Sequence, residues 1–368
     1  MILFLHNRYR TTGGEERAVD DLVWLVREHL GEDAELVTRD SAALGRRGAA
    51  RGLLQGGLEA DEVAAAVRRT GARVVHAHNL LPAFGWRALA AARAAGARVV
   101  LHLHNYRLVC AVGTCFTRDG DCVRCHGRNT LPGVKLNCRG TGPENAVYAA
   151  SLALWQRRMC EQADAFVVPS AFAEARLRDL GAPLRRQVHV VPHVVRSVAG
   201  GPAGDPAGPA LVASRLAAEK GVDVAIDACR EAGLPLVVAG DGPLGDALRA
   251  RARGADVRFA GRVSSAELDA LRAGASVAIV PSRAAETFGL AAAEAMAAGL
   301  PVAATRSGAL PELVPSAQLA PPGDAAALGA LAARLRGDDA AARAGLEGVR
   351  RIAAPEVVAP ALASVYEG

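Results

Sequence analysis

The feature that most constrains the fold of this chain is an alternation, from end to end, between short apolar runs and helix-length segments. The runs of the first half are continuous rather than alternating in polarity, and such runs are typical of strands that helices cover on both faces. Strands that alternate with helices predict an α/β fold built from parallel sheets. The runs are ILFLH (2–6), RVVHA (73–77), RVVLHL (98–103), AFVVP (165–169) and VHVVPHVV (188–195).

A segment rich in glycine, proline and alanine, RSVAGGPAGDPAGP (196–209), predicts a domain linker. The length of 368 residues also suits two domains. We expect two Rossmann-like, doubly wound domains over residues 1–195 and 210–350, facing a central cleft. Residues 351–368 are expected to form a helix that packs back toward the N-terminal domain. The second series of runs is ALVAS (210–214), PLVVA (235–239), VRFAG (257–261), SVAIVP (276–281) and PVAAT (301–305).

Charge is distributed unevenly between the two halves. Residues 1–195 carry 26 basic and 19 acidic groups (+7), and residues 196–368 carry 17 and 19 (−2), which together give the net charge of +5. A basic first half suits an anionic acceptor, a lipid-linked acceptor or an acidic membrane face; scattered solvated arginines are the alternative. Nucleic acid is not expected as a partner, because aromatic residues are 4% and no basic and aromatic platform is present.

The N-terminus, MILFLHNRYR, has an apolar run of only five residues and no basic segment before it. This predicts a buried first strand rather than a signal peptide or a membrane span. We therefore expect a cytoplasmic protein, with peripheral contact at the inner face of the cell membrane as an alternative.

An anion site is predicted in the alanine-rich stretch AAETFGLAAAEAMAAGLP (284–301). It follows a predicted strand, and FGLAAAEAMAAG (288–299) predicts a helix. A glycine and a proline at its C-terminal end would terminate this helix. The free N–H groups at a helix start bind anions, and phosphate is the natural candidate. Here those groups belong to Phe288, Gly289 and Leu290.

Glu286 and Glu294 lie eight positions apart in the same stretch. Along a helix this spacing amounts to roughly 12 Å, which is comparable to a ligand with a sugar at one end, a diphosphate in the middle and a ribose at the other. Carboxylates accept hydrogen bonds from hydroxyl groups. We predict that Glu286 holds the sugar and Glu294 the ribose; two ordinary charges, one at a first helical turn and one on the surface, are the alternative.

Lys220 is one of only two lysines in the chain, the other being Lys135. It lies in ASRLAAEKGVD (213–223), a predicted strand end followed by a polar loop and a helix, and Arg215 precedes it by five residues. This cationic pair is suited to neutralising a diphosphate. A surface loop with a Glu219–Lys220 pair is the alternative.

These residues belong to motifs that together resemble glycosyltransferase family 4, which contains retaining enzymes of the GT-B fold that take a sugar from a nucleotide-sugar. The resemblance runs in order from Met1 to about Leu335. The motifs are LHNRYRTTGGEERAV (5–19), HAHNLLP (76–82), LHNYRLVC (103–110), LVASRLAAEKG (211–221), VAGDGP (238–243), FAGRVS (259–264) and ETFGLAAAEAMAAGLPVAA (286–304).

The resemblance implies a role for each matching position. The catalytic residues would be His104, Glu286, Arg215 and Lys220. The donor-binding residues would be Gly13, Gly14, Arg215, Lys220, Gly240, Gly242, Arg262, Val263, Glu286, Phe288, Gly289, Leu290 and Glu294. On the acceptor side, the candidates are His78, Asn105 and Tyr106. His193 stands where relatives usually have asparagine, so no role is carried over to its side chain.

Two other patterns suggest different chemistry. GDGPLG (240–245) matches the dinucleotide fingerprint, but it lies in the second domain and Asp256 is the only acidic candidate downstream. DGD (119–121) resembles a metal-binding carboxylate pair, and Asp-Gly is more simply a turn. Neither pattern leads us to expect an oxidoreductase or a catalytic metal.

A cysteine-rich loop over about 108–142 is a separate feature, and it contains five of the seven cysteines. Four of them could form a thiolate zinc site that folds this loop, with unpaired thiols as the alternative. The four candidate ligands are Cys110, Cys122, Cys125 and Cys138.

The sequence therefore predicts a retaining glycosyltransferase that moves a hexose-type sugar from a UDP or GDP donor. The predicted reaction needs no cofactor, and the cysteine loop is the one candidate for a structural zinc. A nucleotide-sugar epimerase of the same fold and a nucleotide-sugar-binding protein without turnover are the alternatives.

Overall fold

The computed structural model describes residues 1–9, 13–117 and 120–368. The chain forms two compact units. The first unit comprises the N-terminal part through Val194 and the end of the last helix, Val358–Gly368, and the second comprises Val195–Val357. A short hairpin in the cysteine loop is grouped with the second unit.

The first unit contains a six-stranded parallel sheet of order β2-β1-β3-β4-β7-β8. The strands of this part of the chain, with the hairpin β5 and β6, are β1 (Ile2–Arg8), β2 (Ala34–Asp40), β3 (Val74–Ala77), β4 (Arg98–His102), β5 (Phe116–Thr117), β6 (Gly120–Asp121), β7 (Ala165–Val168) and β8 (Val188–Val190). The helices are α1 (Gly14–His29), α2 (Gly45–Gln55), α3 (Ala60–Thr70), α4 (Gly85–Ala94), α5 (Leu131–Lys135), α6 (Gly142–Gln162) and α7 (Ala171–Asp179).

The second unit contains another six-stranded parallel sheet, of order β11-β10-β9-β12-β13-β14. Its strands are β9 (Ala210–Ala213), β10 (Leu236–Ala239), β11 (Val257–Gly261), β12 (Val277–Val280), β13 (Val302–Thr305) and β14 (Leu319–Ala320). The helices are α8 (Val222–Ala232), α9 (Gly245–Arg251), α10 (Ser265–Ala273), α11 (Leu290–Ala297), α12 (Leu310–Leu313), α13 (Ala325–Leu335) and α14 (Asp339–Ala353). The last helix, α15 (Pro355–Glu367), belongs to the first unit from Val358 onward.

Each sheet is covered on both faces, as continuous apolar strands require. In the second unit, Val212 packs into one buried cluster and its neighbour Leu211 into another, because successive side chains of a strand point to opposite faces. In the first unit, Phe4 packs with Leu22 of α1 and Leu362 of α15 in one cluster. Two doubly wound α/β domains, predicted from the sequence, are confirmed.

The segment 196–209, predicted to be a linker, is hydrogen-bonded along the second unit. The N–H groups of Ala199 and Ala203 donate to the carbonyls of Ala297 and Gly299, and Asp205 N–H donates to Ala275. After the second unit, the chain returns to the first unit with Val358–Gly368. There, Arg73 donates a hydrogen bond to the carbonyl of Tyr366. In the described part of the chain, no helix has the length and apolar character needed to cross a membrane.

Sheet order predicts where each unit binds ligands. In open α/β sheets, the site lies outside the carboxyl ends of the strands, where the direction of winding reverses. That point lies between β1 and β3 in the first unit and between β9 and β12 in the second. The predicted donor, acceptor and catalytic residues follow these four strands or the nearby strands β4, β10 and β11.

Candidate functional site

An ion pair occupies the switch point of the second unit. Lys220 ends the 3₁₀ turn after β9, and Glu286 lies in the loop after β12. Because β9 and β12 are neighbours, the two side chains meet, and Lys220 Nζ donates to Glu286 Oε1 at 2.6 Å. Ser282 Oγ donates to the same oxygen at 2.5 Å. The structure thus brings together two residues that lie 66 positions apart.

The environment of Glu286 keeps its carboxyl group ionised. Burial raises its pKa, but the charge of Lys220 and hydrogen bonds from Lys220 and Ser282 outweigh this, and the pKa lies below the ordinary 4.5. The Glu286 side chain is only 16% exposed. A carboxylate has about four lone-pair positions, so it can accept hydrogen bonds from ligand hydroxyls beside Lys220 and Ser282.

Helix α11 begins at Leu290, so the predicted helix over 288–299 is shorter than expected. Gly289 is its N-cap, with a φ of 100°. Phe288 precedes the helix, and its ring is buried in the core. The predicted N–H groups of Phe288 and Gly289 therefore precede the helix, and the first turn starts at Leu290. The turn remains a suitable anion site by its geometry.

Gly289→Ala is expected to lower the free energy of unfolding by about 1–3 kcal/mol. The positive φ disfavours any L side chain, and an added Cβ would lie 2.5 Å from Leu310 Cδ2 in the core. Urea denaturation followed by circular dichroism measures the change. Gly200→Ala is the matched control, because Gly200 is exposed and a Cβ there would meet nothing within 4 Å. Equal stability of the two variants would contradict the assigned conformation of Gly289.

Arg215 and two predicted glycines form the neighbouring part of the site. Arg215 is half-exposed and forms an ion pair with Glu219. Gly240 has a φ of 137°, and a Cβ there would lie 1.9 Å from the carbonyl oxygen of Ser214. A Cβ on Gly242 would lie 2.5 Å from the carbonyl oxygen of Leu216. These glycines allow the end of β10 to lie against the loop that carries Arg215, which explains the GDGPLG pattern without a dinucleotide.

Glu294 lies on α11 and accepts a hydrogen bond from Arg272 Nη2 of α10 at 2.5 Å. Arg272 is buried and also donates to Asp269 at 3.0 Å. The sequence did not indicate this pair. Glu286 is in the loop before α11, so the rise of a helix does not set its distance from Glu294, and the estimate of roughly 12 Å does not hold. The predicted ribose contact of Glu294 stays a prediction.

Arg262 and Val263 directly follow β11, which pairs with β10 at the edge of the second sheet. Arg262 is exposed. The predicted contact of their main chain with a nucleotide base stays a prediction.

In the first unit, His78 and His104 follow β3 and β4 and are hydrogen-bonded to each other. His78 Nδ1 lies 2.7 Å from His104 Nε2. The His193 ring stacks on that of His104, with centroids 5.1 Å apart. Burial and the neighbouring histidines hold the pKa of His104 well below 6.5, so its ring is neutral at neutral pH. Its predicted place at the reaction centre stays a prediction.

The loop after β1 leads to a polar cluster that the sequence did not indicate. Tyr9 Oη donates to Glu15 Oε2 at 2.6 Å, and Asn105 Nδ2 donates to the same oxygen at 2.8 Å. Burial raises the pKa of Glu15. The predicted acceptor residue Asn105 is thus held by Glu15, whereas its neighbour Tyr106 is fully buried.

Helix α1 begins at Gly14, one residue after Gly13. The Gly13 N–H, predicted to meet the donor phosphate, donates to Glu16 Oε2 at 2.8 Å. Binding of a phosphate at Gly13 would therefore have to replace this bond.

The cysteines of the described residues form no disulfide. A hydrogen bond with Cys115 is the main cause that lowers the pKa of Cys110 to about 6, and burial raises that of Cys125 to about 11. Among the described residues, two groups of three side chains have potential metal-ligand atoms within 4.8 Å of one another. Both groups consist of histidines, and neither contains these cysteines. The zinc site of the cysteine loop stays a prediction. Asp119 of the DGD pattern lies outside the described residues.

Two family models match the chain in order. The model described as glycosyl transferase 4-like domain matches residues 8–193, and that of glycosyl transferases group 1 matches 209–338. The two-domain α/β fold and these matches define a glycosyltransferase of the GT-B class. The chain belongs to the glycosyl transferase 4-like family.

Curated relatives share shorter segments. A GDP-mannose-dependent alpha-(1-6)-phosphatidylinositol dimannoside mannosyltransferase of Mycobacterium tuberculosis is 42% identical over 106 residues, 27% of this chain and 28% of the relative. A glycogen synthase of the same organism is 37% identical over 172 residues, 42% of this chain and 41% of the relative. The matched segment thus spans less than half of either relative.

Solved structures match over the full length. The HepE protein of Anabaena in complex with UDP has a TM-score of 0.63 at 17% identity, covering 100% of this chain and 99% of that one. Sucrose-phosphate synthase of Thermosynechococcus elongatus has a TM-score of 0.72 at 18% identity, covering 100% and 98%. At these identities the likeness establishes the fold alone.

Proposed function

We propose that this protein is a retaining glycosyltransferase that moves a hexose-type sugar from a UDP or GDP donor to an acceptor in glycan, glycolipid or natural-product biosynthesis. The observation that carries the proposal is the Lys220–Glu286 pair at the switch point of the second sheet, where Glu286 lies in the loop that leads into α11. It combines a cation for a diphosphate, a carboxylate for sugar hydroxyls and an anion-binding helix start. The net positive charge of the first half suits an anionic or lipid-linked acceptor.

In the proposed reaction, the bond between the anomeric carbon and the diphosphate breaks while the acceptor oxygen bonds to the same face of the sugar. The acceptor proton passes to the departing phosphate oxygen, so no side-chain base is needed. Lys220, Arg215 and the first turn of α11 stabilise the charge that grows on the diphosphate. Lys220 has three N–H donors, so it can hold Glu286 and a phosphate oxygen together.

The nucleotide is the first point to test. The mannosyltransferase relative is named for GDP-mannose and the HepE structure contains UDP, so both bases are candidates. A thermal-shift panel of UDP-, GDP-, dTDP- and ADP-sugars should single out one nucleotide, since a ligand at about 100 times its Kd adds about 2.7 kcal/mol to the native state. No shift with any donor would contradict the proposal. Isomerisation of the donor sugar without an acceptor would favour an epimerase.

Glu294→Ala is expected to weaken binding of the free nucleoside diphosphate by about 10- to 100-fold, because a hydrogen bond to a charged group contributes about 1.5–3 kcal/mol. Isothermal titration calorimetry with the nucleotide selected above measures the change.

Asp269→Ala is the matched control for Glu294→Ala, because Asp269 is an exposed carboxylate that also binds Arg272. Its nucleotide affinity should equal that of the wild type. If both variants lose affinity equally, the effect acts through Arg272, and the proposed ribose contact of Glu294 is wrong.

A further inference from the structure

Six of the nine histidines of the chain lie buried together in the first unit. They are at most 7% exposed, and they lie on or just after β1, β3 and β4 or in the segment that follows β8. Each imidazole carries polar nitrogens, and burying such atoms without partners costs free energy. The six are His6, His76, His78, His102, His104 and His193.

Three of these rings are placed as metal ligands would be. His76, His78 and His102 each offer one ring nitrogen, and these nitrogens lie within 4.8 Å of one another. His76 Nε2 and His102 Nδ1 are 3.2 Å apart and form a hydrogen bond with each other, which a bound ion would replace. Two ligands of a tetrahedral zinc ion, at about 2.0–2.1 Å from the metal, would be about 3.3 Å apart.

The outer bonds of these rings suit metal ligation. His76 Nδ1 lies 2.7 Å from Tyr366 Oη, and His78 Nδ1 lies 2.7 Å from His104 Nε2. When both Nδ1 atoms carry the proton and donate it, both Nε2 atoms keep a lone pair. Histidines that bind metals almost always donate their second N–H to such a partner.

Among the described residues, the buried Nε2 atom of His78 has no hydrogen-bond partner, so its lone pair is available to an ion. The Nε2 atom of His102 has no partner either, but His102 would bind through Nδ1, and its Nε2 would then carry the proton.

We propose that His76, His78 and His102 bind one divalent transition-metal ion of the class that imidazole nitrogens favour, such as zinc, inside the first unit. The ion would tie β3 to β4 and, through Tyr366, to the C-terminal helix. The proposal does not rest on the proposed glycosyl transfer, although it gives the predicted acceptor residue His78 a structural role beside His104. A second group, His102, His104 and His193, meets the same distance criterion, but the outer bonds from Tyr366 and His104 favour the first.

Refolding with cobalt tests the proposal, because the buried site would take up metal as the chain folds. The full chain is unfolded in guanidinium with a chelator, freed of both, refolded with Co²⁺ or Zn²⁺, and passed over a sizing column. Because the cysteine loop is itself a predicted zinc site, the paired variant Cys122→Ser and Cys125→Ser is refolded in the same way, and its elemental analysis should find about one ion per chain. The visible spectrum of its cobalt form should indicate nitrogen ligands and lack the intense thiolate absorption that cysteine ligands give.

Variants then assign the ligands. His76→Gln and His102→Gln should each lose the ion. Tyr366→Phe keeps the aromatic ring but removes the hydroxyl group that contacts His76 Nδ1, and it should weaken metal affinity by about 10- to 100-fold. His29→Gln, at an exposed histidine, and His193→Asn should keep it. Circular dichroism verifies that each variant is folded.

Three results would overturn the proposal. The first is a folded wild-type protein, refolded with either metal, that holds less than about a tenth of an ion per chain. The second is metal that survives both ligand substitutions. The third is metal that is lost from the paired variant Cys122→Ser and Cys125→Ser, or from His193→Asn, but kept by His76→Gln.

Discussion

Lys220→Ala is expected to lower turnover by about 100- to 1,000-fold, the cost of removing one preorganised charge from a transition state. Lys220 Nζ is the cation that the structure holds at the carboxyl ends of β9 and β12, 2.6 Å from Glu286. The proposed reaction needs it most when the diphosphate departs and its charge grows. Turnover at saturating donor, with the nucleotide-sugar selected by thermal shift, measures the loss.

Lys135→Ala is the matched control for Lys220→Ala. Lys135 is the only other lysine of the chain, it is exposed on α5, and its removal changes the net charge by the same amount. Its turnover should stay within about twofold of the wild type, as substitutions on an exposed surface usually allow. Wild-type turnover in a folded Lys220→Ala protein would refute the diphosphate role of this lysine.

Much of the fold could be predicted because short continuous apolar runs that alternate with helix-length segments are typical of the buried strands of parallel α/β sheets. Each of the predicted apolar runs overlaps a strand of one of the two large sheets. Strand β2, AELVTRD, did not stand out, because it lies at the edge of its sheet, and its partly exposed face carries charged residues. Helix α14, over Asp339–Ala353, was also not predicted. The segment 196–209 has the composition of a linker but is bonded to the second unit.

The site was predicted only in part, because residue types and strand ends are visible in a sequence but partners across a fold are not. Lys220 and Glu286 were each placed at a strand end, yet their direct contact depends on β9 and β12 being neighbours. The bond between Arg272 and Glu294 joins two helices, and no local pattern indicates it. Of the six buried histidines, only His104 and His78 were assigned a role from the sequence, and no local pattern indicates that the order of β1, β3 and β4 brings the rings into one cluster.

Glu286→Gln separates the charge of this side chain from its shape, and we expect it to lower turnover by about 10- to 100-fold. The amide has the size of the carboxyl group and can still accept a hydrogen bond from Ser282. It carries no charge to hold Lys220, so the ammonium group would no longer be fixed beside the predicted diphosphate site. In the double variant with Lys220→Ala, turnover should fall little below that of Lys220→Ala alone, because both changes disrupt one unit.

The pH dependence of stability provides an independent test of the same carboxylate. The pKa of Glu286 is lower in the folded protein than its ordinary 4.5, so the folded state favours the ionised form. Its contribution is therefore complete above about pH 4.5 and is lost as the pH falls through the folded value. The wild type should exceed Glu286→Gln by about 1–2 kcal/mol in urea denaturation at pH 7, and the gap should shrink below pH 4.5. A gap that widens on acidification would mean that burial, not Lys220, dominates the environment of Glu286.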